Sequence, residues 1–322
     1  MLTHSHSNTS SIKPALIKLT LVSLIGLLLA ACSGTDQLEQ INQNNLITER
    51  VNQTQIRHTT LKQPSYQLHY VSSEKSSIQN TVQNSKNQAQ NSPKDSLVFV
   101  HGTPGSWGTF SRYFEDNTLL NAFNVNSIDR PGWGDSSYPG LRFPTSLSSQ
   151  SALLGPLLED IWRNNNEQKV ILVGHSLGGS LVPKLAADYP HFVKAIVILA
   201  GDLDPSMAEA RWFNDILAVI PNFMIPDMWA NSNAEVLAIA PSLANLQSQF
   251  AKITMPITIV QGTEDDLVRP GSAAMAKKIF PMAKLTTVWL EGAGHIINMT
   301  HQRDVDAAIF KIAGRKVPSN LL

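Results

Sequence analysis

Short β-type runs rich in Val, Ile and Leu recur along this chain at 97–100, 124–128, 170–173, 195–199, 257–260 and 285–290. The segments between them carry helical patterning; after the third run, for example, Leu181, Val182, Leu185 and Ala186 fall on one helical face. Strands alternating with helices predict a mostly parallel sheet with helices on both faces. An earlier run, Tyr66-Gln-Leu-His-Tyr-Val71, alternates as a further strand. Between it and residue 97, the stretch 72–96 is rich in Ser, Asn and Gln and too poor in apolar residues to join a packed core. It is expected to be an enlarged surface loop joining neighbouring strands.

The segment between Leu199 and Ile257 is too long for a simple crossover. It holds Trp212, Phe213, Phe223, Met224, Met228 and Trp229, broken by Pro205, Pro221, Pro226 and Pro241. Short helices punctuated by proline predict a cap at about 203–250, its aromatic and methionine side chains lining an apolar pocket or packing cap against core.

The N-terminus has a different pattern. Lys13 and Lys18 precede an apolar run at 19–31, too short for an ordinary membrane span and of the length of a signal-peptide core. The run ends in Leu29-Ala30-Ala31-Cys32, which resembles a bacterial lipobox, and that resemblance implies a signal peptide at 1–31 and lipidation of Cys32. A plain secretory signal with an Ala-x-Ala-like cleavage site, or a short uncleaved anchor, is the alternative. Polar composition over 32–50 reads as a flexible tether, leaving 51–322 as the folded domain.

Composition narrows the field. Cys32 is the chain's one cysteine, so the fold has no internal disulfide, and 322 residues at 43% hydrophobic content can supply a core without one. Lys and Arg together number 25 against 25 Asp and Glu. That balance argues against a nucleic-acid partner and against an electrostatic hold on anionic lipid, so any membrane attachment would come from the lipid chains.

In sheets of this kind reactive groups sit on loops at the carboxyl ends of strands. There the chain places His101-Gly-Thr-Pro-Gly105, then Asp129-Arg-Pro-Gly-Trp-Gly-Asp-Ser136, then Gly174-x-Ser176-x-Gly178, then Gly262-Thr-Glu-Asp-Asp266, then Gly292-Ala-Gly-His295. The third is a nucleophile-elbow pattern in its required strand-turn-helix setting. In this order the set resembles the α/β-hydrolase family, over roughly residue 66 to the C-terminus.

The resemblance implies an α/β-hydrolase fold with Ser176 as nucleophile, His295 as its base and Asp265 as the acid that orients the imidazole. A serine hydroxyl needs such a base, and the base such an orienting group. His301 is the other histidine after the acid, and its place in the following helix suits packing or exposure. Asp202 and Asp204 are rivals to Asp265, because some family members carry the acid after that earlier strand; Glu264 and Asp266 read as solvated charges. The backbone N–H groups of Thr103 and Leu177 are the implied oxyanion donors. His101 is read as structural, the 129–136 block as a self-bonded turn without chemistry, and Trp107 as either a wall of the acyl pocket or an anchor of its turn. No cofactor is implied, and no metal-ligand spacing is present.

The function expected from this set is a serine hydrolase cleaving an uncharged, mostly apolar carboxylic ester through an acyl-enzyme, lipid-anchored and facing the periplasm. By resemblance to Gram-negative lipoproteins, Ser33 after the cysteine favours the outer membrane. An amide or peptide hydrolase of the aminopeptidase kind on the same triad, and a non-catalytic binding lipoprotein of the same fold, are the alternatives. The serine argues against dehalogenase and epoxide hydrolase chemistry, where the family places an aspartate at the elbow.

Overall fold

The computed structural model describes residues 35–52, 56–73 and 94–322. Its centre is an eight-stranded sheet in the order β1-β2-β4-β3-β5-β6-β7-β8. The strands are β1 (Ile56–Lys62), β2 (Gln67–Ser73), β3 (Asp95–Val100), β4 (Phe123–Ile128), β5 (Val170–His175), β6 (Val193–Leu199), β7 (Ile257–Gly262) and β8 (Leu285–Leu290). β1, β2 and β4 pair antiparallel, and β4 through β8 run parallel. Every residue of β5 and β7 is buried. A strand covered on both faces has no polar side to alternate with, hence the unbroken apolar runs.

Successive side chains of β3 point to opposite faces. Val98 and Val100 join Leu172 and Ile196 under α3 (Leu147–Asn164), α4 (Leu177–Asp188) and α6 (Asp227–Phe250). Leu97 and Phe99 join Ile171 and Val173 on the other face, against Phe110 and Tyr113 of the 3₁₀ segment Trp107–Phe114 and Ile309 and Phe310 of α10 (Gln302–Ile312). The shorter helices are α2 (Asn117–Ala122), α5 (Trp212–Val219), α7 (Pro270–Ala274), α8 (Ala276–Ile279) and α9 (Ile297–Thr300).

Three sequence-based expectations change. β2 and β3 are not neighbours: β4 lies between them, antiparallel to β2 and parallel to β3. β4 is buried at all but one position and so takes a partner on each edge. The stretch expected to be a loop also ends sooner, since Asp95 and Ser96 open β3; residues 74–93 lie outside the described set.

β1 is an edge strand of sequence Ile-Arg-His-Thr-Thr-Leu-Lys, mostly exposed and too polar to register as one.

The third change concerns the tether at 32–50. Residues Thr35–Asn52 form a helix, α1, docked on the domain. It docks largely through polar contacts, without a broad apolar stripe. Asn44 Nδ2 donates to the Gly108 carbonyl (2.9 Å), Thr48 Oγ1 to Ser111 Oγ (2.9 Å), and Arg112 to the Gln40 carbonyl (3.1 Å). Val51 is buried at its end. The signal peptide at 1–31 and Cys32 lie outside the described residues, among which no helix is long and apolar enough to cross a membrane.

Candidate active site

Ser176 stands between β5 and α4 at φ 56°, ψ −124°, a conformation costly for a residue with a side chain and kept only where the surroundings enforce it. The neighbouring glycines are the enforcement. A Cβ at Gly174 would come 2.2 Å from the Gly178 carbonyl oxygen, and one at Gly178 would come 2.1 Å from that of Val100. A Cβ at Gly102 would lie 2.8 Å from the Ser176 Cβ, so the loop after β3 rests against the serine.

The loops after β7 and β8 are bound to one another. Thr263 N–H donates to the Leu290 carbonyl (3.0 Å), Glu264 N–H to that of Ala293 (3.0 Å), and Gly292 N–H to Thr263 Oγ1 (2.9 Å). This brings Asp265 to His295, whose Nδ1 lies 2.9 Å from Oδ2 and 3.1 Å from Oδ1. The His295 carbonyl accepts from His175 Nε2 at 3.0 Å, which ties the histidine loop to the residue before Ser176. Burial, followed by the charge of His295, lowers the His175 pKa to about 3, so that ring is a neutral structural donor.

Burial alone would raise the Asp265 pKa. The charge and hydrogen bond of His295 outweigh it, together with the backbone N–H groups of Val268 (2.8 Å) and Leu267 (2.9 Å), and Asp265 ends below the ordinary carboxylate value. Gln261 Nε2 donates to its other oxygen at 3.1 Å. A carboxylate so held accepts the imidazole N–H at Nδ1 and leaves Nε2 as the free ring nitrogen.

The rivals fall elsewhere. Asp204 accepts from the N–H and hydroxyl of Ser206 two residues on. Asp266 and Glu264 are exposed. His301 sits at the junction of α9 and α10, bonded to its neighbour Thr300 at 2.8 Å. Asp202 is buried and close enough to feel His295; desolvation is the main cause that raises its pKa to about 7.

At the oxyanion position, Leu177 N–H belongs to the first turn of α4, whose donors lack intrahelical acceptors. Thr103 follows the glycine that touches Ser176, and its buried hydroxyl oxygen has no hydrogen-bond partner among the described residues. Trp107 donates its backbone N–H to Asp129 Oδ1 (2.6 Å) and packs edge-on against His58 and Phe114, which makes it an anchor of its turn.

His101 is fully buried. Its Nδ1 donates to the Gly102 carbonyl (2.7 Å) and its Nε2 accepts from Arg130 N–H (3.0 Å); desolvation, then Arg130, drives its pKa well below the usual value.

Sequence reasoning missed Arg130. The 129–136 block is self-bonded as expected, Ser136 Oγ donating to the Asp129 carbonyl (2.8 Å) and Asp135 N–H to Oδ2 (2.9 Å). Its arginine reaches beyond the turn. The fully buried guanidinium donates to the His101 carbonyl (3.0 Å), the Gly102 carbonyl (2.8 Å), Gln150 Oε1 (2.6 Å) and Glu235 of α6 (2.5 and 3.1 Å). One side chain thus fastens the loop against Ser176 to the cap helix. The available signal was a basic residue at a strand end and an acid, Glu235, inside a helix whose other charge is Asp227 at its start.

Of the cap residues expected to line a pocket or to pack against the core, Trp212, Phe223 and Met228 do neither, being 63%, 74% and 47% exposed, whereas Phe213, Met224 and Trp229 are half-buried. On α5 the residue turned inward is the polar Asn214, bonded to Asn233 of α6.

One group of metal-ligating type comes together among the described residues, His69, Asp129 and Asp135. Its buried members are already engaged, His69 Nδ1 with Asp129 (2.7 Å) and His69 Nε2 with His58 (2.9 Å).

The model of the alpha/beta hydrolase family matches residues 97–308, which takes in the elbow, the Asp265 loop and the His295 loop. The chain belongs to the alpha/beta hydrolase family. Over 139 residues it is 30% identical to a 1-acylglycerol-3-phosphate O-acyltransferase of Arabidopsis thaliana, covering 42% of this chain and 32% of that protein. Over 144 residues it is 30% identical to the sn-1-specific diacylglycerol lipase ABHD11 of Danio rerio, covering 44% of this chain and 42% of that one. The chain therefore spans only about a third to two fifths of these relatives. The epoxide hydrolase VrEH1 of Vigna radiata superposes with TM-score 0.59 at 14% identity, over 81% of this hydrolase and 98% of that structure, a likeness of fold.

Proposed function

We propose that this hydrolase cleaves an uncharged, mostly apolar carboxylic ester by way of an acyl-Ser176 intermediate. The observation that carries the reading is the Asp265–His295 pair, held by backbone donors and tied through His175 to the strained turn bearing Ser176. In this mechanism His295 Nε2 takes the Ser176 proton as the hydroxyl adds to the ester carbonyl. The N–H groups of Thr103 and Leu177 receive the oxyanion, and the imidazolium returns its proton to the leaving alcohol. Water then releases the acid by the same steps in reverse.

A serine at the elbow supports ester over epoxide chemistry. The lipid-directed names of the two sequence relatives favour a glycerolipid-like acyl ester. The same reading includes lipidation of Cys32 and residence on the periplasmic side of the bacterial envelope, in the outer membrane, supported by the lipobox-like Leu29-Ala30-Ala31-Cys32 and by Ser33.

Ser176→Ala tests the chemistry. It is expected to abolish fluorophosphonate labelling and to lower kcat on p-nitrophenyl esters by about 10⁶. Undiminished ester turnover by the folded variant rejects the mechanism, and preferential cleavage of aminoacyl anilides moves the reading to amides. For the anchor, metabolic labelling with a fatty-acid analogue should mark the wild type and not Cys32→Ser.

A further inference from the structure

Trp212, Ile216 and Val219 fall at i, i+4 and i+7 of α5, on one face, and are 63%, 50% and 80% exposed. In sequence the apolar surface continues to Phe223 in the 3₁₀ turn Asn222–Met224, at 74%, and to Met228 at the start of α6, at 47%. Because Asn214 is pinned inward by Asn233, at 2.8 and 3.0 Å, this outward orientation of α5 is built into the fold. Water-soluble proteins seldom expose large apolar side chains together in this way unless something covers them.

The chain's own N-terminus indicates what covers them. α1 starts at Thr35, and its Gln37 lies against the histidine loop: a Cβ at Gly294 would be 2.5 Å from Gln37 Nε2. Cys32 precedes Gln37 by five residues, a reach of at most about 18 Å for an extended chain. Lipid on Cys32 would therefore hold the molecule by the end of the sheet that carries His295. α5 is at that same end, since Arg211, immediately before it, donates to the backbone carbonyls of Asp266 and Leu267 beside Asp265.

We propose that the face of α5 formed by Trp212, Ile216 and Val219, with Phe223 and Met228, docks into the headgroup–acyl boundary of a phospholipid bilayer, the one holding the Cys32 lipid, and turns the active-site end toward it. This deepens the ester-hydrolase reading by assigning the source of substrate, and it rests on the lipidation of Cys32. A tryptophan and aliphatic residues on one helical face suit that depth. Without 1–31, which holds Lys13 and Lys18 and no acid, the lipidated chain is slightly acidic and has no electrostatic attraction to anionic lipid, so the hold is apolar and should change little with salt.

The full chain, also carrying Ser176→Ala so that docking is read apart from catalysis, is mixed with phosphatidylcholine vesicles brominated on the acyl chains. Docking predicts tryptophan quenching that disappears in Trp212→Phe although five other tryptophans remain. In the active chain, Trp212→Ser/Ile216→Ser/Phe223→Ser should lower hydrolysis of a vesicle-borne ester by about tenfold or more while leaving a soluble ester unaffected. Quenching that survives Trp212→Phe overturns the proposal, as does a soluble dimer cross-linked through position 212 that shows no quenching. Quenching that depends on Trp212 in a chain whose Cys32 takes no fatty acid would overturn the shared anchor and uphold the docking face.

Discussion

Asp265, in the loop after β7, and Asp202, in the loop after β6, are equally hidden, at 4% and 8% exposure, and both feel the same imidazole. They end in opposite states. Asp265 receives Val268 N–H, Leu267 N–H, Gln261 Nε2 and His295 Nδ1 and stays ionised below the ordinary carboxylate pKa. Asp202 receives no hydrogen bond among the described residues; its burial, against only partial relief from His295, lifts it to about 7. Depth and proximity are shared, so the donors decide which carboxyl is a fixed charge and which is a variable one.

The largest test exchanges the charges. Asp265→Asn presents an amide to His295 and favours the wrong tautomer, so kcat on a soluble ester should fall by about 10⁴ with KM largely kept. Asp266→Asn, an exposed charge, should remain near wild type. A mild effect at 265 with a large one for Asp202→Asn would reverse the comparison and move the acid to the loop after β6.

A smaller effect isolates the donors themselves. Gln261→Met keeps the side chain's length and removes the 3.1 Å bond to Asp265 Oδ2. Losing a hydrogen bond to a charged group should cost about tenfold in kcat. Unchanged kinetics would mean that the two backbone N–H groups hold Asp265 without help.

Asp202→Asn should leave the kcat plateau within about twofold. Its mark is in stability. Folded Asp202 keeps its proton up to about 7, whereas the unfolded chain releases it near the ordinary 3.8, so wild type loses stability as pH rises between those values. Asp202→Asn does not titrate there and should gain on wild type in Tm across that range; parallel Tm curves would show that burial does not hold Asp202 neutral.

The same contrast explains what could be read from the sequence. The parallel strands and the loops bearing Ser176, Asp265 and His295 were legible because each depends on local rules: apolar runs for strands buried on both faces, and glycines where backbones touch. The insertion of β4 beside β2, the docking of α1 and the Arg130–Glu235 tie depend on partners far apart in the chain. Arg130 and Glu235 are 105 residues apart, and nothing local to either announces the other. The cap's apolar residues misled for a related reason. Composition predicted that Trp212 would line a pocket or pack against the core, whereas α5 turns Asn214 inward to Asn233 and leaves Trp212 outside.

A third buried acid sharpens the rule through stability. Asp306 of α10 is 1% exposed, and its carboxyl faces that of Asp116. Burial first, then the adjacent Asp116 carboxyl, raises it to about 9, so the folded protein keeps this proton where the unfolded chain would release it near the ordinary value of 3.8. Between those two values the native state binds more protons, and its stability falls as pH rises. Asp306→Asn retains a donor toward Asp116 without the titration. The variant should therefore gain on wild type as pH rises, by a few degrees of Tm between about pH 5 and about pH 8. Parallel Tm curves for the two proteins would show that burial beside a second carboxyl does not hold this acid neutral, and the account of Asp202 would fall with that of Asp306.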